Sequence, residues 1–397
     1  GTLEIRKELF DTFSKSLKEF YIINADNLVY FPSFKKISYN EKNVKINKKQ
    51  IKKSNIKLFN PKNEKEFCSF SKKKELVIIN NIGKNFFALK IYFLLKKLRI
   101  NQVYIDNLGS IGMPAYFEAK NYIRYFNYII FQRLFSRIIT PSLIILGFIR
   151  RIKIHFTSKK LEIEQTKKKF FKNFLFQRNL LFAEEYKLIN SRSYDSIIDK
   201  KYNIESKYIV HLDAEMNGRH EIETRGYLPK NIVDQHYFHL RNFLKKLSKD
   251  FKKPVVICLH PTINSREVKK FRKSGLLKGF KIVQYKTKEY IYKSFIVTTF
   301  DTSAVVDAAL LKKKIIGLYS NYMDINQINH SKTYPSKIGF LRINFENFQF
   351  NKKHLLDTLN NNLKKYNSFL KNYHIHKKKL KGSDEIVNIL KKKYRIS

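Results

Sequence analysis

Between residues 208 and 319, strand-length apolar runs alternate with segments of helical period, and few architectures tolerate that pattern. Tyr208–Leu212, Val255–Leu259, Lys281–Tyr285, Phe295–Thr298 and Ile315–Tyr319 are short, continuous and rich in Val and Ile. Between them Tyr237, Leu240, Phe243, Leu244 and Leu247 recur at helical spacing, followed by shorter helical stretches at Arg266–Lys273, Lys288–Lys293 and Ser303–Leu311. Strands of that kind, separated by helices, predict an α/β fold with a parallel sheet covered on both faces. Ligands of such sheets bind beyond the carboxyl ends of the strands, which singles out the loops after Leu212, Leu259, Tyr285 and Thr298.

The N-terminal half carries the same signal in shorter form. Glu75–Asn80 reads as a strand, Phe87, Ile91, Leu94, Leu95 and Leu98 as a helix, and Gln102–Asp106 as a second strand, which together make a βαβ unit. A helix over Leu3–Phe20, a strand near Leu28–Phe31 and an irregular basic stretch from Lys35 to Glu66 precede it. A chain of 397 residues exceeds one ordinary core. The expected division is an N-terminal domain over 1–200, a nucleotide-binding domain over 201–350 and terminal helices over 351–397, at Lys353–Leu370 and Asp384–Lys393.

Charge constrains partners more than fold. Lysine and arginine number 80 against 33 acids, a formal net charge of +47, dispersed in runs such as Lys72-Lys73-Lys74 and Lys312-Lys313-Lys314. Nucleic acid, an anionic membrane surface and an AT-rich coding bias each account for it, the last supported by abundant Lys, Asn, Ile, Phe and Tyr without Trp. Against nucleic acid, the basic residues are diffuse and no binding motif accompanies them. Cys68 and Cys258 lie far apart, which fits a reducing cytoplasm and argues against a disulfide or zinc framework. No run reaches the roughly 18 apolar residues of a spanning helix. Tyr125–Ile149 comes nearest, and Phe126, Ile130, Leu134 and Ile138 would share one face of a helix lying in a membrane surface or buried within the protein.

Three elements could carry chemistry. His260-Pro261 leaves the strand ending at Leu259, where proline fixes the backbone and holds the imidazole where a phosphate or ribose could meet it, a purely structural His-Pro pair being the alternative. Asp301-Thr302-Ser303 follows another strand and opens a helix, so its hydroxyls and free N–H groups suit an anion, a simple N-cap being the alternative. Asp307, one turn inside, could accept from ribose hydroxyls. The third element, His211–Glu221, gathers Asp213, Glu215, Arg219, His220 and Glu221 at a strand's carboxyl end; salt bridges to Arg219 or Arg225 are the competing account. Lys286 and Thr287 could contact base or phosphate, Thr287 equally serving as a cap. Asn107, Ser110 and Glu118 are candidates on the acceptor side, because their loop leaves a strand's carboxyl end. His211, His220, His236 and His239 lack metal-ligand spacing, so no metal is expected.

The order strand, His-Pro, strand, Lys-Thr, strand, Thr-Ser opening a helix, then Asp-Ala-Ala resembles bacterial GT-B glycosyltransferases of surface-polysaccharide synthesis. It is most similar to families using CMP-activated sugars, the sialyltransferases, Kdo transferases and capsule-locus relatives, over roughly residues 205–320. Thr302-Ser303 replaces their commoner Ser-Ser. The resemblance implies two Rossmann-like domains with parallel sheets facing a central cleft, His260, Thr302 and Ser303 on the donor phosphate, and Asp213, then Glu215, as the catalytic carboxylate. Such a carboxylate acts as base or nucleophile beside a positively charged sugar carbon. It further implies a glycan or lipid-linked acceptor near Arg219 and His220, no metal or cofactor, and a peripheral place on the inner membrane face. A CDP-glycerol-type polyol-phosphate transferase and a UDP-sugar transferase are the alternatives within the class.

Overall fold

The computed structural model describes residues 12–23 except 14 and 18, 56–79 except 75, 89–106, 139–164 except 162, 183–198, 203–213, 229–260, 268–269, 272–300, 302–323 and 325–396. The chain forms two compact units, one from segments within 1–109, 125–195 and 372–397, the other centred on 196–371. In chain order the described elements begin β1 (Phe20–Ile23), β2 (Ile56–Phe59), α1 (Glu64–Lys72), β3 (Val77–Ile79), α2 (Leu89–Lys97), β4 (Asn101–Asp106), α3 (Thr140–Ile145), β5 (Ile152–Thr157), β6 (Ala183–Leu188) and α4 (Arg192–Ile198). They continue β7 (Tyr208–Leu212), α5 (Lys230–Phe251), β8 (Val255–Leu259), β9 (Lys281–Gln284), α6 (Thr287–Tyr292), β10 (Ser294–Thr299), α7 (Val305–Leu310), β11 (Lys314–Tyr319), α8 (Ile325–Tyr334), β12 (Leu341–Asn344), α9 (Lys352–Tyr373) and α10 (Gly382–Tyr394). Every strand pairing is parallel. The α/β class expected from the sequence is therefore observed, with a parallel sheet in each unit.

In the first unit the main sheet runs β3-β4-β5-β6, in sequential order. Right-handed crossovers between strands added in one direction all fall on one face. The α2 helix takes that side, packing Ile91, Leu94 and Leu95 with Phe67 of α1 and Ile78 of β3. Chain from elsewhere must cover the opposite face, and α10 does so: Ile386, Val387 and Leu390 join Val103, Ile105, Ile154 and Phe156, with Phe13 from the N-terminal segment. Full burial of each such side chain contributes about 1.5–3 kcal/mol.

A dense polar knot docks α10. Asn190 donates to the carbonyl of Leu380 (2.6 Å) and to that of Lys377, and accepts from the amides of His376 (2.6 Å) and Lys377 (3.0 Å). Asp195 accepts from the first two amides of α10, Gly382 (2.7 Å) and Ser383 (3.0 Å), so a distant carboxylate caps the helix.

Some elements differ from the sequence reading. The first helix stops before Phe20, where β1 begins, and the basic stretch ends in β2 and the start of α1. There Asn63 caps α1 by accepting from Glu66 N (3.0 Å), while Glu66 accepts from Lys62 N (2.7 Å). The strands β5 and β6 escape a hydrophobicity reading because they carry Lys153, His155, Glu184, Glu185 and Lys187. Charge on an edge strand such as β6 discourages further pairing, and Lys153 meets Glu184 across the strands at 2.7 Å. The proposed strand at Leu28–Phe31 lies outside the described residues, as does Tyr125–Ile138 of the long apolar segment; its end forms α3.

In the second unit the strand order is β12-β11-β10-β7-β8-β9. The chain adds β8 and β9 on one side of β7, returns to its other side for β10, and continues outward through β11 and β12. This is the doubly wound order in which direction reverses between β7 and β10. Along β7, Ile209 points to the face covered by α5, where Tyr237, Leu240, Phe243, Leu244 and Leu247 are all buried in one core. At the amino ends of β7 and β10, Lys313 donates to the carbonyls of Glu205, Tyr292 and Ser294 at 2.7–2.8 Å. Burial lowers its pKa to about 8. That end of the sheet is thereby closed, leaving the carboxyl end for chemistry.

Candidate functional site

The reversal of strand order brings the tips of β7 and β10 side by side, Leu212 pairing with Thr299 and His211 with Thr298. Adjacent crossovers leave the sheet in opposite directions there, the position at which parallel sheets of this order bind ligands. Side chains two apart on a strand share a face, so His211 and Asp213 both lie on the side of α5. His211 is fully buried, its Nδ1 lies 3.0 Å from Thr298 Oγ1, and its Nε2 lies 3.7 Å from Asp213 Oδ1. The Asp213 amide donates to Cys258 O (3.1 Å), which fixes the carboxylate just past the strand. The Tyr237 hydroxyl points at both of its oxygens, at 3.4 and 3.5 Å.

Next to this group, His236 is fully buried with Nδ1 3.2 Å from Ser320 Oγ, and its ring packs on Phe300 and Phe345. Burial drives its pKa down to about 3, a shift the nearby Asp213 charge opposes. One turn on, His239 stacks on Tyr322. Among the described residues neither His211 Nε2 nor His236 Nε2 has a hydrogen-bond partner, and the buried Asp213 carboxylate lies against Tyr237 and His211. Buried polar atoms are almost always paired, so such a concentration of partly paired ones marks a place where structure alone gives no explanation.

The other sequence candidates are placed as follows. His260 stands exposed at the tip of β8, its carbonyl accepting from Gln284 Nε2 at 3.2 Å. Lys286 is exposed at the tip of β9. Thr287 is the first residue of α6 rather than its cap, and its hydroxyl bonds the buried thiol of Cys258, whose pKa burial raises to about 12. The expected helix opening at Thr302-Ser303 is corrected: α7 begins at Val305 and is six residues long, with Ala304 at its cap position and no side-chain cap. Thr302 Oγ1 instead accepts from Ala304 N (3.4 Å) in a turn, with Ser303 exposed beside it. Their hydroxyls sit at the tip of β10 without the support of a long helix dipole. Asp307 is buried within α7. Glu215, Arg219, His220, Pro261, Asp301, Asn107, Ser110 and Glu118 lie outside the described residues.

Of the candidates, the structure therefore brings Asp213 and the Thr302-Ser303 turn to neighbouring strand tips, with His260 one strand beyond. The sequence reading assigned Tyr237 only to the apolar face of its helix. Its hydroxyl also lies 3.4–3.5 Å from the Asp213 carboxylate, and no pattern of hydrophobicity distinguishes a tyrosine that packs from one that also reaches a polar group. In the first unit, Asp106 closes β4 with Lys159 Nζ at 3.0 Å, a pair that sequence reasoning also missed.

No protein-family model matches the sequence, and no curated protein matches it significantly. Solved structures resemble it in outline. A variant of the wall teichoic acid polymerase TagF is 12% identical, with 99% of this chain and 97% of that one covered at a TM-score of 0.49. UDP-GlcNAc 2-epimerase from Methanocaldococcus jannaschii is 12% identical, covering 98% and 96% at 0.45. The epimerase from Neisseria meningitidis bound to UDP-GlcNAc is 12% identical, covering 82% and 78% at 0.39. These proteins are enzymes, and at such identities and scores they carry no chemistry over to this chain.

Proposed function

We propose that the chain is a metal-independent transferase that binds a nucleotide-activated donor over the β7/β10 reversal and moves its glycosyl group to a saccharide acceptor. The observation that carries this reading is the buried Asp213 at the reversal, with the hydroxyls of Thr302 and Ser303 on the adjoining strand tip. Parallel sheets of this order hold nucleotides at that point. A carboxylate within hydrogen-bond reach of an acceptor hydroxyl at that point could take its proton.

In this reading His260 and the Thr302-Ser303 turn meet the donor phosphate, Lys286 and Thr287 flank the phosphate or base, and Asp307 accepts from the ribose hydroxyls. Asp213, or failing it Glu215, is the base or nucleophile, while Arg219 and His220 approach the acceptor. The donor proposed from the sequence resemblance is a CMP-linked nonulosonic acid of Kdo or sialic type.

A thermal-shift panel of CMP, CDP, UDP and GDP tests the donor, because a ligand at 100 times its Kd stabilises the folded state by about 2.7 kcal/mol. The cytidine nucleotides are expected to raise the melting temperature most. Asp213→Asn is expected to lower turnover about 10²- to 10⁴-fold while leaving nucleotide binding intact. Equal activity in that variant removes the catalytic assignment, and a product that retains donor phosphate replaces sugar transfer with polyol-phosphate transfer.

A further inference from the structure

The first unit exposes an apolar tip with a cationic border. At the end of α3 and just past it, Ile145 is 52% exposed, Leu146 68% and Phe148 54%, while Ile144 and Ile149 on either side are buried and anchor the turn. Gly147 between them takes φ +77, a left-handed conformation that turns the chain back sharply and leaves three large side chains pointing outward. Scattered exposed hydrophobics are ordinary, but three within four residues on one projecting turn are not.

The described residues of α2 and of the chain following the turn that border it are basic. The α2 helix ends next to this turn: Lys96 Nζ lies 6.0 Å from the Phe148 ring, and Arg150 donates to the carbonyl of Arg99. Lys96, Lys97, Arg99 and Arg151 are exposed, and Phe93, 38% exposed, shares the helix face of Lys96 and Lys97. A protein partner with an acidic rim could satisfy the charge, but a compact apolar tip bordered by flexible lysines fits a fluid anionic surface better. Such a surface needs no matching shape and accepts side chains to the depth of one turn.

We propose that the Ile145–Phe148 turn inserts into the headgroup region of an anionic phospholipid bilayer, with Lys96, Lys97 and Arg151 meeting lipid phosphates. This docks the first unit by a short wedge, since no described helix is long and apolar enough to cross a membrane. The wedge is distinct from the donor site, and it stands or falls independently of the transferase reading. Each basic residue at an anionic surface strengthens binding about fivefold. The net charge of +47 would draw the whole chain weakly to any anionic vesicle. The test must therefore separate insertion from diffuse attraction.

The chain contains no Trp, so Phe148→Trp supplies a single fluorescent reporter. With vesicles of phosphatidylcholine and phosphatidylglycerol its emission is expected to shift to the blue and to be quenched by brominated acyl chains. Pure phosphatidylcholine is expected to produce neither effect. In flotation assays at 0.15 M salt, Leu146→Ser with Phe148→Ser, which preserves every charge, is expected to reduce binding about tenfold or more. Its far-UV circular dichroism and melting temperature should remain those of the unmodified chain, which verifies folding. Equal flotation of the double variant, or unshifted tryptophan emission on anionic vesicles, overturns the proposal in favour of diffuse charge. Self-association abolished by the double variant, without vesicle binding by the unmodified chain, overturns it in favour of an interface between copies.

Discussion

Replacing Gly382 by alanine sets two effects of opposite sign against each other. By helix propensity alone the change should stabilise α10 by about 1 kcal/mol. In the structure, however, a Cβ at this position would lie 2.2 Å from the carbonyl oxygen of Asn190, 3.0 Å from its carbonyl carbon and 3.2 Å from its nitrogen. All three are backbone atoms held by the knot of hydrogen bonds around Asn190 and cannot rotate away. Ordinary carbon–oxygen contacts lie near 3.3 Å, so the start of α10 must retreat by about 1 Å. That movement stretches the bonds by which Asp195 accepts from Gly382 and Ser383, now 2.7 and 3.0 Å, beyond useful length. Hydrogen bonds to a charged group contribute about 1.5–3 kcal/mol each, so the net expectation is a loss of about 2–5 kcal/mol. Scanning calorimetry at pH 8 is the appropriate assay, because burial raises the Asp195 pKa to about 6 and the carboxylate is ionised there. The transition of the first unit should fall by about 5–15 °C while that of the second stays in place. A melting temperature equal to or above that of the unmodified chain would refute the reasoning and leave propensity as the governing term.

Two further outcomes concern the second unit. His236, with a folded-state pKa near 3 against 6.5 in the unfolded chain, is neutral when folded; the unfolded state binds more protons between those values, and stability is lost as pH falls through them. Acidification from pH 7 to 5 should cost about 2 kcal/mol through this group, and His236→Phe should flatten that part of the pH–stability curve measured by urea unfolding. Lys313→Met removes a donor from three carbonyls at once and should destabilise the unit by about 2–4 kcal/mol, read from the same unfolding curves; a loss below about 0.5 kcal/mol would mean that water replaces the ammonium.

How much was legible in the sequence depends on what each segment buries. Strands covered on both faces, such as Val255–Leu259, are continuous apolar runs and were located to the residue. Strands with one polar face or an open edge, β5, β6 and β12, contain lysine, arginine, glutamate or histidine and gave no such signal. The juxtaposition of Asp213 with Thr302 and Ser303 was not legible, because they lie some ninety residues apart and meet only through a strand order that no local pattern encodes. Thr287 shows the converse limit. A hydroxyl after a strand suggested a cap or a ligand, yet its partner is a buried thiol supplied by the neighbouring strand.

The position of α10 has a consequence for biosynthesis. Asp195 and the amide it caps are separated by 187 positions, and the sheet face that α10 covers is built from residues made long before. At ~5–20 residues per second, roughly 10–40 s of translation pass between completion of β6 and arrival of its cover. During that interval Val103, Ile105, Ile154 and Phe156 form an apolar surface without its native lid, whereas the described elements of the second unit, β7 to α9, follow one another without interruption and can fold as they emerge. The first unit to be translated is thus the last to be finished, and ribosome-bound chains stopped before residue 382 should be the ones that engage chaperones.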